Sequence, residues 1–127
     1  MHFSGTMLGS DNPKVLGEFY TRLIGEPGYH EGDWYAWQTG AQLMVGGHSE
    51  VHGHNHLPQR IILAFEVDDV KAEFDRIKDF GATVVAEPYR PDESSDVWLA
   101  TLADPDGNYL QLARPWQDAT DSTDGGS

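Results

Sequence analysis

The 127-residue chain has no cysteine, few basic residues and no long apolar run. Without cysteine, neither a disulfide nor a thiolate metal site can form. Only 8 lysine and arginine residues stand against 21 acidic ones, which gives a formal net charge of -13. This charge repels nucleic-acid backbones and anionic membranes, so we expect neither as a partner. No segment approaches the roughly 20 apolar residues that cross a bilayer.

Location and domain count follow from the same composition. The first residues, MHFSGTMLGS, lack the basic start and apolar run of a secretory signal. Together with the lack of cysteine, this favours a cytoplasmic protein. The length fits a single domain, which we place at residues 1–115. The polar, acidic segment 116–127 is predicted to be a disordered tail.

Two segments have the pattern of amphipathic helices. Residues 12–24 begin with an N-cap asparagine and a proline, and Gly25 follows them. Residues 68–80 begin with Asp68 as the expected N-cap and end before Gly81. Apolar residues recur at helical spacing in both segments. They are Val15, Leu16, Phe19, Tyr20 and Leu23 in the first, and Val70, Phe74, Ile77 and Phe80 in the second.

Short strands surround each predicted helix, one before it and about three after it. In the first half they are residues 3–8, a fragment around Tyr29, residues 34–38 and residues 42–45. In the second half they are residues 60–67, 83–86, 97–102 and 109–113. The chain is therefore predicted to contain two βαβββ modules. They cover about residues 3–46 and 60–113, with a linker at 47–59.

Three stretches resemble the vicinal oxygen chelate superfamily, which includes glyoxalase I, extradiol dioxygenases and bleomycin-resistance proteins. They are GTMLGSDNPKVLGEFYTRLIG, LAFEVDDVKAEFDRIKDFGA and ADPDGNYLQL. The last is the most specific, because DPDGN before an alternating strand recurs throughout that superfamily. The resemblance implies an α+β fold in which two βαβββ modules form curled mixed sheets around a cup, with the helices outside. It also implies a homodimer.

The resemblance further implies where a metal would bind. In metalloenzymes of the superfamily, four cup-facing residues hold one divalent ion, and they are usually His, Gln or Glu. The matching positions here are Gly5, Met44, Ile62 and Gln111. Only Gln111 offers a hard donor atom, and one neutral amide does not hold a divalent ion in water. We therefore expect neither the standard metal site nor another cofactor.

In place of a metal site, we expect an apolar cavity with aromatic walls. Such a cavity suits a small organic ligand. The superfamily's bleomycin-resistance branch binds its ligand without chemistry, and the chain is predicted to do the same. The candidate ligand-binding residues are Met7, Trp34, Trp37, Met44, Ile62, Trp98, Tyr109 and Gln111. Tyr35 is a further aromatic residue on a predicted strand, and Glu66 would attract a cationic ligand.

The histidines leave a second function open. Four of the six lie in the linker, and His52, His54 and His56 would project from one side of an extended chain. They would then hold a divalent metal for a glyoxalase-, lyase- or dioxygenase-like enzyme. The neighbouring glycines instead favour a flexible loop, which must be ordered before it binds tightly. The acid–base candidates His48, Glu66, Glu87 and Tyr109 form no recognisable catalytic arrangement, so no catalytic residue is assigned.

Overall fold

The computed structural model describes residues 1–94 and 96–114. The tail predicted at 116–127 lies outside the described residues. The chain divides into two compact units, one up to Asn55 and one from His56 onward. Each unit contains one βαβββ module, so the predicted order of elements is confirmed. Within the described residues, neither helix is long and apolar enough to cross a membrane.

The first module is a four-stranded mixed sheet with one helix packed against it. Its elements are β1 (Gly5–Ser10), α1 (Pro13–Ile24), β2 (Tyr29–Glu31), β3 (Trp34–Thr39) and β4 (Ala41–Gly47). The strand order is β1-β4-β3-β2. Strands β1 and β4 run parallel, and the other pairs are antiparallel.

The second module repeats this topology. Its elements are β5 (Leu63–Glu66), α2 (Val70–Lys78), β6 (Thr83–Tyr89), β7 (Leu99–Ala103) and β8 (Tyr109–Ala113), preceded by a 3-10 turn at Pro58–Arg60. The strand order is β5-β8-β7-β6, with only β5 and β8 parallel. Two mixed sheets, each with one helix, are the architecture expected from the sequence.

Helix α1 begins at Pro13 and ends before Gly25, as predicted. The side chain of Asn12 makes no capping hydrogen bond; instead the buried Ser10 hydroxyl accepts the Asn12 backbone N–H at 2.9 Å. Gly25 ends the helix with a φ of 126°, and its backbone N–H donates a hydrogen bond to the Thr21 carbonyl. Leu16, Phe19 and Tyr20 are buried, but Val15 is 43% exposed. Of the apolar residues at helical spacing, Val15 thus lies outside the buried face of the helix.

The core of the first module lies between α1 and its sheet. Tyr35 and Trp37 on β3 are buried, as are Leu43 and Val45, their partners on β4. The centroids of the Tyr20 and Trp37 rings are 6.3 Å apart. The Trp37 indole N–H donates to the Gly25 carbonyl at 2.8 Å. This bond ties the centre of the sheet to the end of the helix.

Helix α2 is capped by Asp69 and not, as predicted, by Asp68. The Asp69 carboxylate accepts the Ala72 N–H at 3.0 Å, the usual geometry of an N-cap. Val70, Phe74 and Ile77 are buried as predicted. Phe80, the last apolar residue of the predicted helix, lies beyond the end of α2 and is half-buried.

Strand β5 is shorter than the predicted strand at 60–67. The turn at Pro58–Arg60 occupies its expected start, so regular pairing begins only at Leu63. Alternation along a strand at 60–67 would place Ile61 on the helix side with Leu63, but Ile61 lies outside β5 and is 70% exposed, so that expectation was wrong. Strand β7 likewise begins at Leu99, two residues later than predicted.

The DPDGN turn before β8 is organised by Asp104. Its carboxylate accepts the backbone N–H groups of Asp106 and Asn108 and also the Asn108 side-chain amide. Gly107 has a φ of 84°, while no other type of residue in the described chain has a positive φ. The turn thus needs the glycine for its backbone and Asp104 for its hydrogen bonds.

Candidate functional site

The sheet of the first module has one face against α1 and one turned away from it, which we call the first open face. Side chains alternate along each strand, so residues next to the buried Tyr35 and Trp37 lie on the open side. Met7 pairs with Met44, and Met44 pairs with Ala36, which makes one apolar row across three strands. This register places the two candidate ligand-binding residues Met7 and Met44 side by side on the first open face.

Glycines leave parts of the first open face bare. A side chain at Gly5 would overlap the backbone of Gln42, its partner on β4, so this position accepts only glycine. The Trp34 ring lies on the backbone of Gly46 and is 43% exposed. The resulting surface has two thioethers and an indole ring, which are polarisable groups suited to contact an organic molecule.

The histidine-containing segment after β4 folds over the Gly9 end of this face. A methyl group on Gly9 would lie 3.1 Å from the His48 Cβ and 3.4 Å from a Val51 methyl. The His48 Nδ1 accepts the Glu50 N–H, and Asp11 accepts the Gly53 N–H at 2.8 Å. Residues 48–53 are therefore held by specific hydrogen bonds.

The remaining linker histidines are exposed. His52 and His54 belong to the first unit and His56 to the second. In the described part of the chain, no group of three or more His, Asp or Glu residues is placed to hold a metal ion. The proposed clamp of these three histidines is not formed in this arrangement.

The second module has a corresponding open face, turned away from the buried Leu110 and Leu112. Gln111 lies there between Ala64 on β5 and Thr101 on β7. Tyr109 follows the same alternation and pairs with Ala103. Small neighbours leave the Gln111 amide and the Tyr109 ring as the large groups at the centre of this face.

Ile62 and Glu66 flank and end β5, respectively: Ile62 comes just before the strand and Glu66 is its last residue. Ile62 directly precedes the strand and is 42% exposed. Within β5, Ala64 lies on the side of the sheet opposite to Leu63. Glu66, which pairs with Ala113, is also exposed on this side. The expected contact of Ile62 and Glu66 with a ligand stays a prediction.

Two candidate aromatics do not lie on the open faces. Trp37 faces α1, is only 2% exposed, and uses its indole N–H in the core. Trp98 precedes β7 and lines a cavity of about 330 Å³ near the start of α2, together with Asp69, Lys71 and Arg114. Their prediction as walls of an open-face cavity was wrong, because strand parity places Trp37 in the core and β7 begins after Trp98.

A groove on the helix side of the first module was not predicted from the sequence. It has a volume of about 710 Å³, and Tyr35 and His30 contribute to its lining. Their rings stack with centroids 4.0 Å apart. Burial raises the pKa of Tyr35, and the nearby carboxylates of Glu18 and Asp33 raise it further. The only sequence signal was the alternating pair Tyr35 and Trp37, which marks a buried strand face.

Comparison with known proteins agrees with this architecture. A family model described as a glyoxalase-like domain matches residues 6–113. No curated protein matches the chain. A solved glyoxalase/bleomycin resistance protein from Albidiferax ferrireducens T118 is 24% identical, with a TM-score of 0.71 over 89% of this chain and 98% of that one.

Two further solved structures share the fold at lower identity. A glyoxalase/bleomycin resistance protein/dioxygenase family enzyme from Burkholderia phytofirmans PsJN is 20% identical, with a TM-score of 0.66 over 87% of this chain and 96% of that one. TioX from Micromonospora sp. ML1 is 18% identical, with a TM-score of 0.65 over 90% and 98% of the two chains. The chain belongs to the glyoxalase-like domain family of the vicinal oxygen chelate superfamily.

Proposed function

We propose that the chain binds a small organic molecule on the open faces of its sheets, without a divalent metal and without covalent chemistry. The observation that carries the proposal is the donor-poor set Gly5, Met44, Ile62 and Gln111, which matches the superfamily's metal positions. Gly5 leaves no room for any side chain because its partner Gln42 approaches too closely. A thioether and an aliphatic group are poor ligands for hard divalent ions.

The surface chemistry indicates the kind of ligand. On the first open face, Met7, Met44 and Trp34 provide apolar and aromatic contact. On the open face of the second module, Gln111 provides a hydrogen-bonding amide. Because the chain carries a net charge of -13, a neutral or cationic molecule is favoured over an anion. An apolar body with one or two hydrogen-bonding groups fits this description.

Fluorescence titration with the neutral dye N-phenyl-1-naphthylamine tests the binding site. Met44→Lys places a charge in the apolar row and is expected to weaken dye binding about tenfold or more. Val15→Lys adds the same charge on exposed α1 and serves as the matched control. Equal binding by both variants would place the dye elsewhere and remove the support for an open-face site.

Metal analysis tests the other half of the proposal. The purified chain is stripped with chelator, dialysed against Zn²⁺, Ni²⁺ or Fe²⁺, and analysed for bound ion by mass spectrometry. We expect no stoichiometric ion. A bound ion that is lost in Gln111→Ala would support a standard metalloenzyme, and one that is lost in a double His52→Ala, His54→Ala variant would support the histidine-loop enzyme.

A cytoplasmic homodimer completes the proposal. The superfamily resemblance supports pairing of two chains, and the composition without cysteine supports a reducing compartment. Sedimentation velocity should then give the mass of two 14.1 kDa chains. A monomer at all concentrations tested would contradict the dimer and leave the binding assay unaffected.

A further inference from the structure

The groove on the helix side of the first module contains an unusual tyrosine. Tyr35 is only 5% exposed, and within residues 1–94 and 96–114 its hydroxyl has no hydrogen-bond partner. One edge of its ring lies on the backbone of Gly17. The Tyr35 ring stacks on the His30 ring, with centroids 4.0 Å apart, and on the Trp37 ring, with centroids 5.9 Å apart. The ring is therefore fixed, and its polar end is available to the groove that it lines.

His30 adds a second polar group with a defined orientation. Its Nε2 lies 3.2 Å from the Gly32 carbonyl oxygen, which can only accept a hydrogen bond. Nε2 therefore carries the proton, and in the neutral ring Nδ1 is left as an acceptor. Stacking holds this ring parallel to Tyr35 within 17°. The two side chains form a rigid aromatic wall with polar edges.

The charges along the groove have a net negative sign. Glu18, Glu26 and Asp33 contribute three carboxylates to the lining, and Lys14 and Arg22 contribute two cations. Glu18 and Asp33 act directly on the Tyr35 hydroxyl, because both raise its pKa. A negative groove on a chain of net charge -13 attracts cations and repels anions.

We propose that this groove is a second binding site, independent of the open faces, for a small organic cation with a protonated amine and an aromatic body. The Glu18 and Asp33 carboxylates and the Tyr35 oxygen accept the ammonium N–H groups. The wall formed by His30 and Tyr35 contacts the aromatic body. The volume of about 710 Å³ lies within the usual range for small-molecule sites.

A pair of probes with the same body and opposite charge tests the proposal. Phenethylamine carries an ammonium group, and 3-phenylpropionate carries a carboxylate. Each is titrated into uniformly ¹⁵N-labelled protein while amide chemical shifts are followed. We expect phenethylamine to move the amides of Gly17, Glu18 and Asp33, with no saturable shift for 3-phenylpropionate. Equal binding of the two probes, or no shift with millimolar phenethylamine, would overturn the proposal.

Variants then assign the binding to individual groups. Glu18→Gln and Asp33→Asn should each weaken phenethylamine binding about fivefold or more, because each removes a charged acceptor. Tyr35→Phe removes only the hydroxyl and should weaken it by a smaller factor. Unchanged affinity in both carboxylate variants would overturn the assignment.

An open-face variant separates this site from the one under Proposed function. Met44→Lys should leave phenethylamine affinity unchanged while it weakens binding of the neutral naphthylamine dye. If Met44→Lys also abolishes phenethylamine binding and the carboxylate variants do not, the cation binds on the open face and the groove is not a site.

Discussion

The ring of Tyr35 lies directly against the backbone of Gly17, so that a methyl group on Gly17 would overlap three carbons of the ring. Helix α1 and strand β3 approach this closely only because residue 17 has no side chain. Alanine normally favours a helix over glycine by about 1 kcal/mol. At position 17, however, the methyl group of alanine would overlap the Tyr35 ring. The free-energy cost of this overlap should exceed the gain in helix propensity.

Gly17→Ala is therefore expected to lower the free energy of unfolding by about 1–3 kcal/mol, as overpacking does in other cores. Urea denaturation followed by circular dichroism measures the change. Gly28→Ala is the matched control, since its added methyl would meet only the Ala36 carbonyl oxygen at 4.0 Å. A stabilised Gly17→Ala variant would show that the two elements are not in this contact.

The two adjacent aspartates before α2 should respond differently to substitution. Asp69→Ala removes the acceptor of the Ala72 N–H and should destabilise the protein by about 1 kcal/mol. Asp68→Ala alters an exposed residue outside that bond and should change stability by less than about 0.5 kcal/mol. Thermal unfolding of both variants checks this order, and a larger loss in Asp68→Ala would contradict the assigned cap.

Asp104 and Asp106, two residues apart in the DPDGN turn, form another contrasting pair. Asp104 accepts several hydrogen bonds while only 3% exposed, so Asp104→Ala should cost about 2 kcal/mol or more. The Asp106 Oδ2 is buried and has no partner among the described residues. Asp106→Asn removes a buried charge and should be neutral or stabilising in urea denaturation. The reverse order would refute this account of the turn.

Alkaline pH should destabilise the fold through Tyr35. Its pKa is raised above the ordinary 10.0, chiefly by burial. The unfolded chain therefore loses this proton first, and stability falls as pH rises above 10, until the folded-state pKa is passed. In an ultraviolet titration, Tyr35→Phe should remove one tyrosine equivalent from the part of the absorbance change that occurs above pH 10. An unchanged absorbance change above pH 10 in Tyr35→Phe would contradict the raised pKa of Tyr35.

Local patterns in the sequence predicted most of the elements. Apolar residues at helical spacing located both helices, and alternation after the DPDGN turn predicted β8 at its observed bounds, Tyr109–Ala113. These features depend on residues near one another in the chain. The ends of β5 and β7 and the identity of the α2 cap were missed, because neighbouring residues of similar chemistry compete for one position and packing chooses between them.

The superfamily resemblance selected the positions Gly5, Met44, Ile62 and Gln111, and the sequence itself shows that three of the four lack a hard donor atom. Which surface each tryptophan occupies could not be read from the sequence, since a shift of one residue in a strand reverses its faces. Trp37 lies in the core because of its position in the alternation of β3, and Trp98 lines the cavity beside α2 because β7 begins after it. The groove beside Tyr35 depended entirely on tertiary structure, because it exists only where α1 packs against β3.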